Sequence, residues 1–213
     1  MLKLEYIALS APAFLLAITV HEFSHAYMAY RFGDPTAKNM GRLTLNPLPH
    51  LDIFGTIALF LIGFGWAKPV MVNPLNLRNP RKDNLWIALG GPASNLLSAL
   101  ILGLLFRILE PILNPLEFGH IVMVMLLLAI RLNIILAVFN LLPIPPLDGY
   151  HILEGIVSSE TYIKMQSFEQ YGSIVLLGLI MISSFAGLNI FAALFNPFLR
   201  ILGSLFAGQN LAF

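Results

Sequence analysis

Six apolar runs divide the chain, at about residues 4–30, 51–66, 85–109, 121–142, 174–188 and 190–206. A hydrocarbon core about 30 Å thick is crossed by about 20 helical residues. Most of these runs reach or approach that length, and no water-soluble domain of this size exposes so much apolar sequence. Of the 213 residues 58% are hydrophobic and 11% charged, against roughly 25% charged in an ordinary soluble domain. The fold class expected is an all-α polytopic membrane protein, one embedded unit over residues 1–213 whose surroundings are the lipid bilayer. Its core would cover about residues 4–155, and a C-terminal helical hairpin about residues 170–206.

The run at 51–66 is short for a span and carries Gly55, Gly63 and Gly65, as a re-entrant element would. Charge supports this. If the run dips and returns, Arg31, Lys38, Arg42, Lys68, Arg78, Arg81 and Lys82 share one compartment, seven of the 12 cationic residues. That is the cytoplasmic excess expected of a membrane protein, whereas a full crossing would split the group nearly evenly. The expected topology has five full spans, six if 51–66 crosses, with the N-terminus outside and the C-terminus inside. A cleaved leader is the other reading of the first run, since Lys3 precedes an apolar stretch with small residues at Ala11 and Ala13. Cleavage there would discard half the anchor. Between Lys38 and His50, polar and apolar residues alternate around Gly41 and stop at Pro47, which predicts a short membrane-associated β-hairpin.

Several function classes are excluded by composition. The net charge is +1 and there is no Cys, so neither a basic face for nucleic acid nor a thiolate metal site is available. Any metal must be held by His and carboxylate. The first run carries His21-Glu22-Phe23-Ser24-His25, an H-E-x-x-H pattern. On a helix, residues four apart share a face one turn apart, so both imidazoles can reach one ion. A neighbouring carboxylate can then take a proton from attacking water. Ionisable groups inside a span are costly, which disfavours a purely structural trio.

A catalytic zinc ordinarily takes three protein ligands. The candidates for a third are Asp148, His151, His50, His120, Glu154 and Asp52. Asp148 follows Pro143, Pro145 and Pro146 at the end of an apolar run, where broken backbone and a carboxylate at membrane depth require a partner. Elsewhere, Arg107 reads as an interfacial residue whose head reaches polar surroundings, and mid-span Arg131 as pairing with a carbonyl or other polar group.

Taken together, H-E-F-S-H in a first core span, Gly91-Pro-Ala-Ser-Asn95 opening a second, and Asn140-x-x-Pro-x-Pro-Pro-Leu-Asp148-Gly149 closing a third resemble the site-2 protease family. These are intramembrane zinc metalloproteases. Residues 41–46 and 65–70 resemble its short forms, without PDZ or CBS domains. One departure is Tyr150, where the family's second glycine is usual. The resemblance implies one Zn²⁺ held by His21, His25 and Asp148, with Glu22 as general base and then proton donor; His151, three residues after Asp148 and so on the same helical face, is the reserve ligand. The resemblance also places Asn140 beside the substrate. The predicted strand over Arg42, Leu43, Thr44 and Leu45 would hold an unwound substrate segment by β-addition. The implied activity is endoproteolysis within or near the transmembrane segment of a single-span membrane protein. The implied location is the cytoplasmic membrane of a prokaryote, with the site toward the cytoplasm. The alternative from another class is a divalent-metal transporter using the same His, Glu and Asp groups.

Overall fold

A computed structural model of the chain describes residues 4–62, 65–116, 118–185 and 189–213. Eight α-helices are present among them: α1 (Leu4–Arg31), α2 (Thr36–Asn39), α3 (Ile53–Ile62), α4 (Pro80–Leu113), α5 (Gly119–Asn140), α6 (Asp148–Ile156), α7 (Ser159–Phe185) and α8 (Ile190–Ala207). Three are long and apolar enough to cross a membrane: α4, α5 and α8.

Local chemistry sets the helix ends. Asn79 caps α4, its side chain accepting from the Lys82 N–H, while its own N–H donates to Asp83. Pro80 then occupies the first turn, where a missing donor costs nothing. At the other end of the chain, α8 closes on Gly208 at φ +70°, whose N–H donates to the Ser204 carbonyl. Arg107 reaches across from α4 to donate to the carbonyls of Ser204 and Leu205. The head expected to reach polar surroundings therefore terminates a neighbouring helix. Arg131 lies 3.8 Å from the centroid of the Phe213 ring, so among the described residues its partner is an aromatic face, where the sequence predicts a carbonyl or other polar group.

The central element is α4, which touches α1, α5, α6 and α8. Its outer half packs with α5 and α8 around Phe106, Ile130, Ile134, Phe195 and Leu199. Its inner half meets α1 through small residues: Ala17, Ala26, Ala88 and Gly91 are buried. Small side chains let two membrane helices approach closely.

Residues 38–50 form no strand, which corrects the predicted β-hairpin. After α2 the chain turns at Gly41 (φ +71°), bends, and enters a 3₁₀ turn at Leu48–His50. The alternation is real, but the polar side chains cap their own backbone. Thr44 Oγ accepts from the Asn46 N–H, and Asn46 Oδ1 accepts from the Leu48 N–H. The Thr44 carbonyl is taken by the His50 ring. Side chain to backbone bonds of this kind compete with a ladder.

The segment that follows returns on itself. Leu51 and Ala67 form an antiparallel bridge, and the Lys68 N–H donates to the His50 carbonyl. Between them α3 has 10 residues, about 15 Å of helix, half a bilayer core. Gly55 makes this closure possible, because a Cβ there would lie 2.2 Å from the Trp66 carbonyl oxygen.

A second clamp sits at the α1–α2 corner, outside the spans. Asp34 is fully buried and accepts from the Thr36 N–H and hydroxyl, the Asn73 N–H and the Asn76 amide. Burial opposes its charge, but these donors outweigh it and hold the carboxyl below its usual range. Asp34→Ala should cost about 1–3 kcal/mol, since four donors from Thr36, Asn73 and Asn76 lose their acceptor, read as a lower thermal midpoint in detergent. A depressed folded value means that this contribution is complete above the ordinary carboxyl range and disappears as pH falls through the depressed one. The gap between variant and native protein should therefore close in acid. Gly55→Val should open the residue 51–67 closure, read as faster amide exchange at Lys68.

Candidate metal centre and its cavity

On α1, His21 and His25 stand one turn apart, with their Nε2 atoms 3.0 Å from each other. Prolines 143, 145 and 146 stop α5 from continuing, and α6 restarts with Asp148 as its first residue. That brings the Asp148 carboxylate to 3.1 Å from His21 Nε2 and 3.3 Å from His25 Nε2. Among the described residues this is the one group of three His or acidic side chains whose ligand atoms all lie within 4.8 Å.

Hydrogen bonds on the far side of each ring determine what the near side offers. The Asn95 amide NH₂ donates to the Ala17 carbonyl and to Asn133 Oδ1, so Asn95 Oδ1 faces His21 Nδ1 at 2.6 Å. His21 Nδ1 must then be the donor. Asn133 is held in turn by donating to the Ala129 carbonyl. His25 Nδ1 meets the Ile87 carbonyl at 2.8 Å and is likewise the donor. Both Nε2 atoms are left with lone pairs, facing a carboxylate that has only lone pairs to give.

Three acceptors converge with no donor among them, and Asp148 Oδ2 is buried without a hydrogen bond. This is a site for a cation. The donor set of two imidazoles and one carboxylate suits a zinc-like ion. Ligands on a tetrahedral ion at about 2.0–2.1 Å stand roughly 3.3 Å apart, close to the separations found. Gly91 of α4 makes the room: a Cβ there would fall 2.4 Å from His25 Nε2 and 2.6 Å from His21 Cε1.

Glu22 is buried beside the pair, its Oε2 without a hydrogen bond and 3.9 Å from the Arg42 guanidinium. His21, Glu22, His25, Asn140 and Asp148 all line one cavity of about 660 Å³. The Asn140 amide donates to the Leu136 carbonyl one turn back. His151 also faces this cavity but pairs with Glu154 at 2.9 Å. His50 is engaged with the loop, Asp52 caps α3 through the Gly55 N–H, and His120 is exposed at the start of α5.

Of the residues expected to hold substrate, Arg42 is buried against Glu22, and none of Arg42, Leu43, Thr44 and Leu45 lines the cavity. Its wall is instead Pro69, Val70, Met71 and Val72. This stretch has no helix or turn, and among the described residues the N–H groups of Val70, Met71 and Val72 have no hydrogen-bond partner. The prolines that frame it make it read as a plain loop in the sequence. Sequence reasoning also misses Asn133, a lone amide in an apolar run, although a polar residue inside a span is the signal that points to it.

Comparison with known proteins agrees with this geometry. The model of peptidase family M50 matches residues 107–183. "Putative zinc metalloprotease YwhC" of Bacillus subtilis is 42% identical over 200 residues, 87% of this chain and 91% of that protein. "Putative zinc metalloprotease Rip2" of Mycolicibacterium smegmatis is 33% identical over 173 residues, 78% of this chain and 64% of that protein. A relative from Methanocaldococcus jannaschii, MJ0611, carries the same description and is 29% identical over 134 residues, 63% of each chain. No solved structure matches. With the first of these relatives matched along nearly its whole length, the chain belongs to peptidase family M50.

Proposed function

We propose that this metalloprotease is an intramembrane zinc endopeptidase that hydrolyses a peptide bond within or near the transmembrane segment of a single-span membrane protein. One observation carries the reading: two imidazole lone pairs and a carboxylate converge beside a buried glutamate, in a cavity within a bundle of long apolar helices.

His21, His25 and Asp148 would hold the zinc, which when bound supplies Lewis acidity toward a carbonyl and toward water. The work of this chain's own residues is orientation and proton transfer. Asn95 and Ile87 hold the two rings by their Nδ1 atoms, and such outer partners orient a ligand and raise its basicity. Glu22 lines the same cavity, its Oε2 turned toward Arg42 without a hydrogen bond. It is suited to take a proton from the attacking water and return it to the leaving amine. The substrate must be unwound, because a helical carbonyl is already bonded. The free N–H groups of Val70, Met71 and Val72 would hold an extended stretch by β-addition, and Asn140 would contact it in the cavity.

The same contacts support a reading of the membrane arrangement. Gly91 near the start of α4 packs on the His pair near the end of α1, and Asp148 follows the end of α5. All three ends therefore lie at one end of the bundle, and residues 51–67 leave and return there. We read α1, α4, α5 and α8 as spans of a single embedded unit and α3 as re-entrant: Phe191 at the start of α8 packs on Phe139 at the end of α5, and Arg107 near the end of α4 meets Ser204 and Leu205 at the end of α8, so α8 starts at the ligand end, which corrects the expected fifth span and inside C-terminus. The seven clustered cations would place that end in the cytoplasm of a prokaryotic cell.

In detergent, with a single-span substrate, Glu22→Gln should keep one zinc per chain and lose cleavage by roughly 10²–10⁴-fold. Ion flux in vesicles with no peptide product would overturn the reading in favour of transport. Chelation should abolish cleavage and added zinc restore it. Asn133→Leu, which removes the acceptor of the Asn95 amide, should weaken zinc affinity roughly 10- to 100-fold, measured by competition with a chromophoric chelator.

A further inference from the structure

The loop at 42–50 contributes no strand and does not reach the cavity, yet it buries an arginine and a histidine completely or nearly so: Arg42 is 3% exposed and His50 0%. A buried guanidinium is costly unless its donors are used. Arg42 donates to the Lys68 and Pro69 carbonyls, which are the foot of the cavity wall. Its Nη2 stands 3.5 Å from His50 Nδ1, while His50 Nε2 lies 2.9 Å from the Thr44 carbonyl. The far nitrogen of the histidine is therefore the donor, and the near one presents a lone pair to the guanidinium. Three groups thus fix the direction of one planar fork. What it points at is Glu22: among the described residues Arg42 is the cation paired with that carboxylate, at 3.9 Å, and the facing oxygen has no hydrogen bond.

We propose that Arg42, held by His50 and by the carbonyls of Lys68 and Pro69, is a positioning residue that orients the Glu22 carboxylate and ties it to the cavity wall. The inference rests on the hydrolytic role proposed for Glu22. A carboxylate next to a cation site can swing toward the ion and become a ligand. A fixed positive fork on its other side opposes that swing and leaves the carboxylate free for proton transfer. Because the same fork grips the wall, the distance between the base and a peptide laid along residues 69–72 is set by one side chain.

The test uses full-length protein in detergent with Arg42→Gln, Arg42→Lys, Glu22→Gln and the Arg42→Gln/Glu22→Gln pair. Arg42→Gln should keep one zinc per chain and lose kcat roughly 10- to 100-fold, the scale of a misplaced catalytic group, with KM changed less than about threefold. Arg42→Lys, which retains a cation, should recover part of that kcat. A rise in KM with kcat unchanged would mean that Arg42 serves the wall alone, and would overturn the proposal. So would equal losses of kcat in the Gln and Lys variants. A second measurement needs no turnover. Arg42→Gln should lower the thermal midpoint by roughly 5 °C more when Glu22 is present than when it is Gln, because only then is a buried charge left unpaired. Additive midpoints would overturn the pairing. If the native chain cleaves nothing, the proposed function fails, and this cycle still decides whether Arg42 and Glu22 act as a pair.

Discussion

Like-disposed lone pairs repel, and in a medium that screens poorly they do not gather without a positive charge among them. His21, His25 and Asp148 gather all the same, from two helices far apart in the sequence. Much of the inner half of the bundle serves that convergence. Gly91 gives up its side chain so that α1 can approach, Asn95 backed by Asn133 presents an acceptor to His21, and three prolines interrupt the backbone just before the carboxylate. The outer half packs around Ile130, Ile134 and Leu199 in a largely apolar core, with Arg107 closing the end of α8.

How much of this could be read from the chain depends on whether the information is local. The His pair is legible because a helix converts a spacing of four into adjacency, and α1 is a helix across both positions. Asp148 is legible because a carboxylate that follows three prolines in an apolar run must find a positive partner at that depth. The cavity wall is not legible: residues 69–72 matter for unpaired backbone donors, which no side-chain pattern advertises. The stretch at 42–46 misled for the complementary reason. Its alternation has the period of a strand, but Thr44 and Asn46 satisfy the backbone locally before a partner strand can. The polar start of α7, with Glu160, Lys164 and Gln166 exposed, hides a helix that begins well ahead of its apolar part.

Short polar loops here carry duties that a soluble enzyme would assign to rigid strands. Asp34 gathers donors from three residues, and Arg42 gathers acceptors from three. Each buries a charge and surrounds it with groups fixed by the backbone, and this gives irregular chain the stiffness of regular structure. The cavity is consequently bordered by helices on one side and by charge-pinned loop on the other.

The placement of the three ligands also bears on the endurance of the whole molecule. Two sit on the first helix and the third begins the sixth, so an ion held by all of them joins points separated by roughly 120 residues of chain, a cross-link that removes freedom from the denatured state as a long closed loop does. Chemistry and durability are then supplied by one atom. A cell starved of that ion would lose the catalyst and, through the same vacated link, the mechanical tie between the opening and middle portions of the polypeptide, which makes the depleted protein a natural target for quality-control degradation.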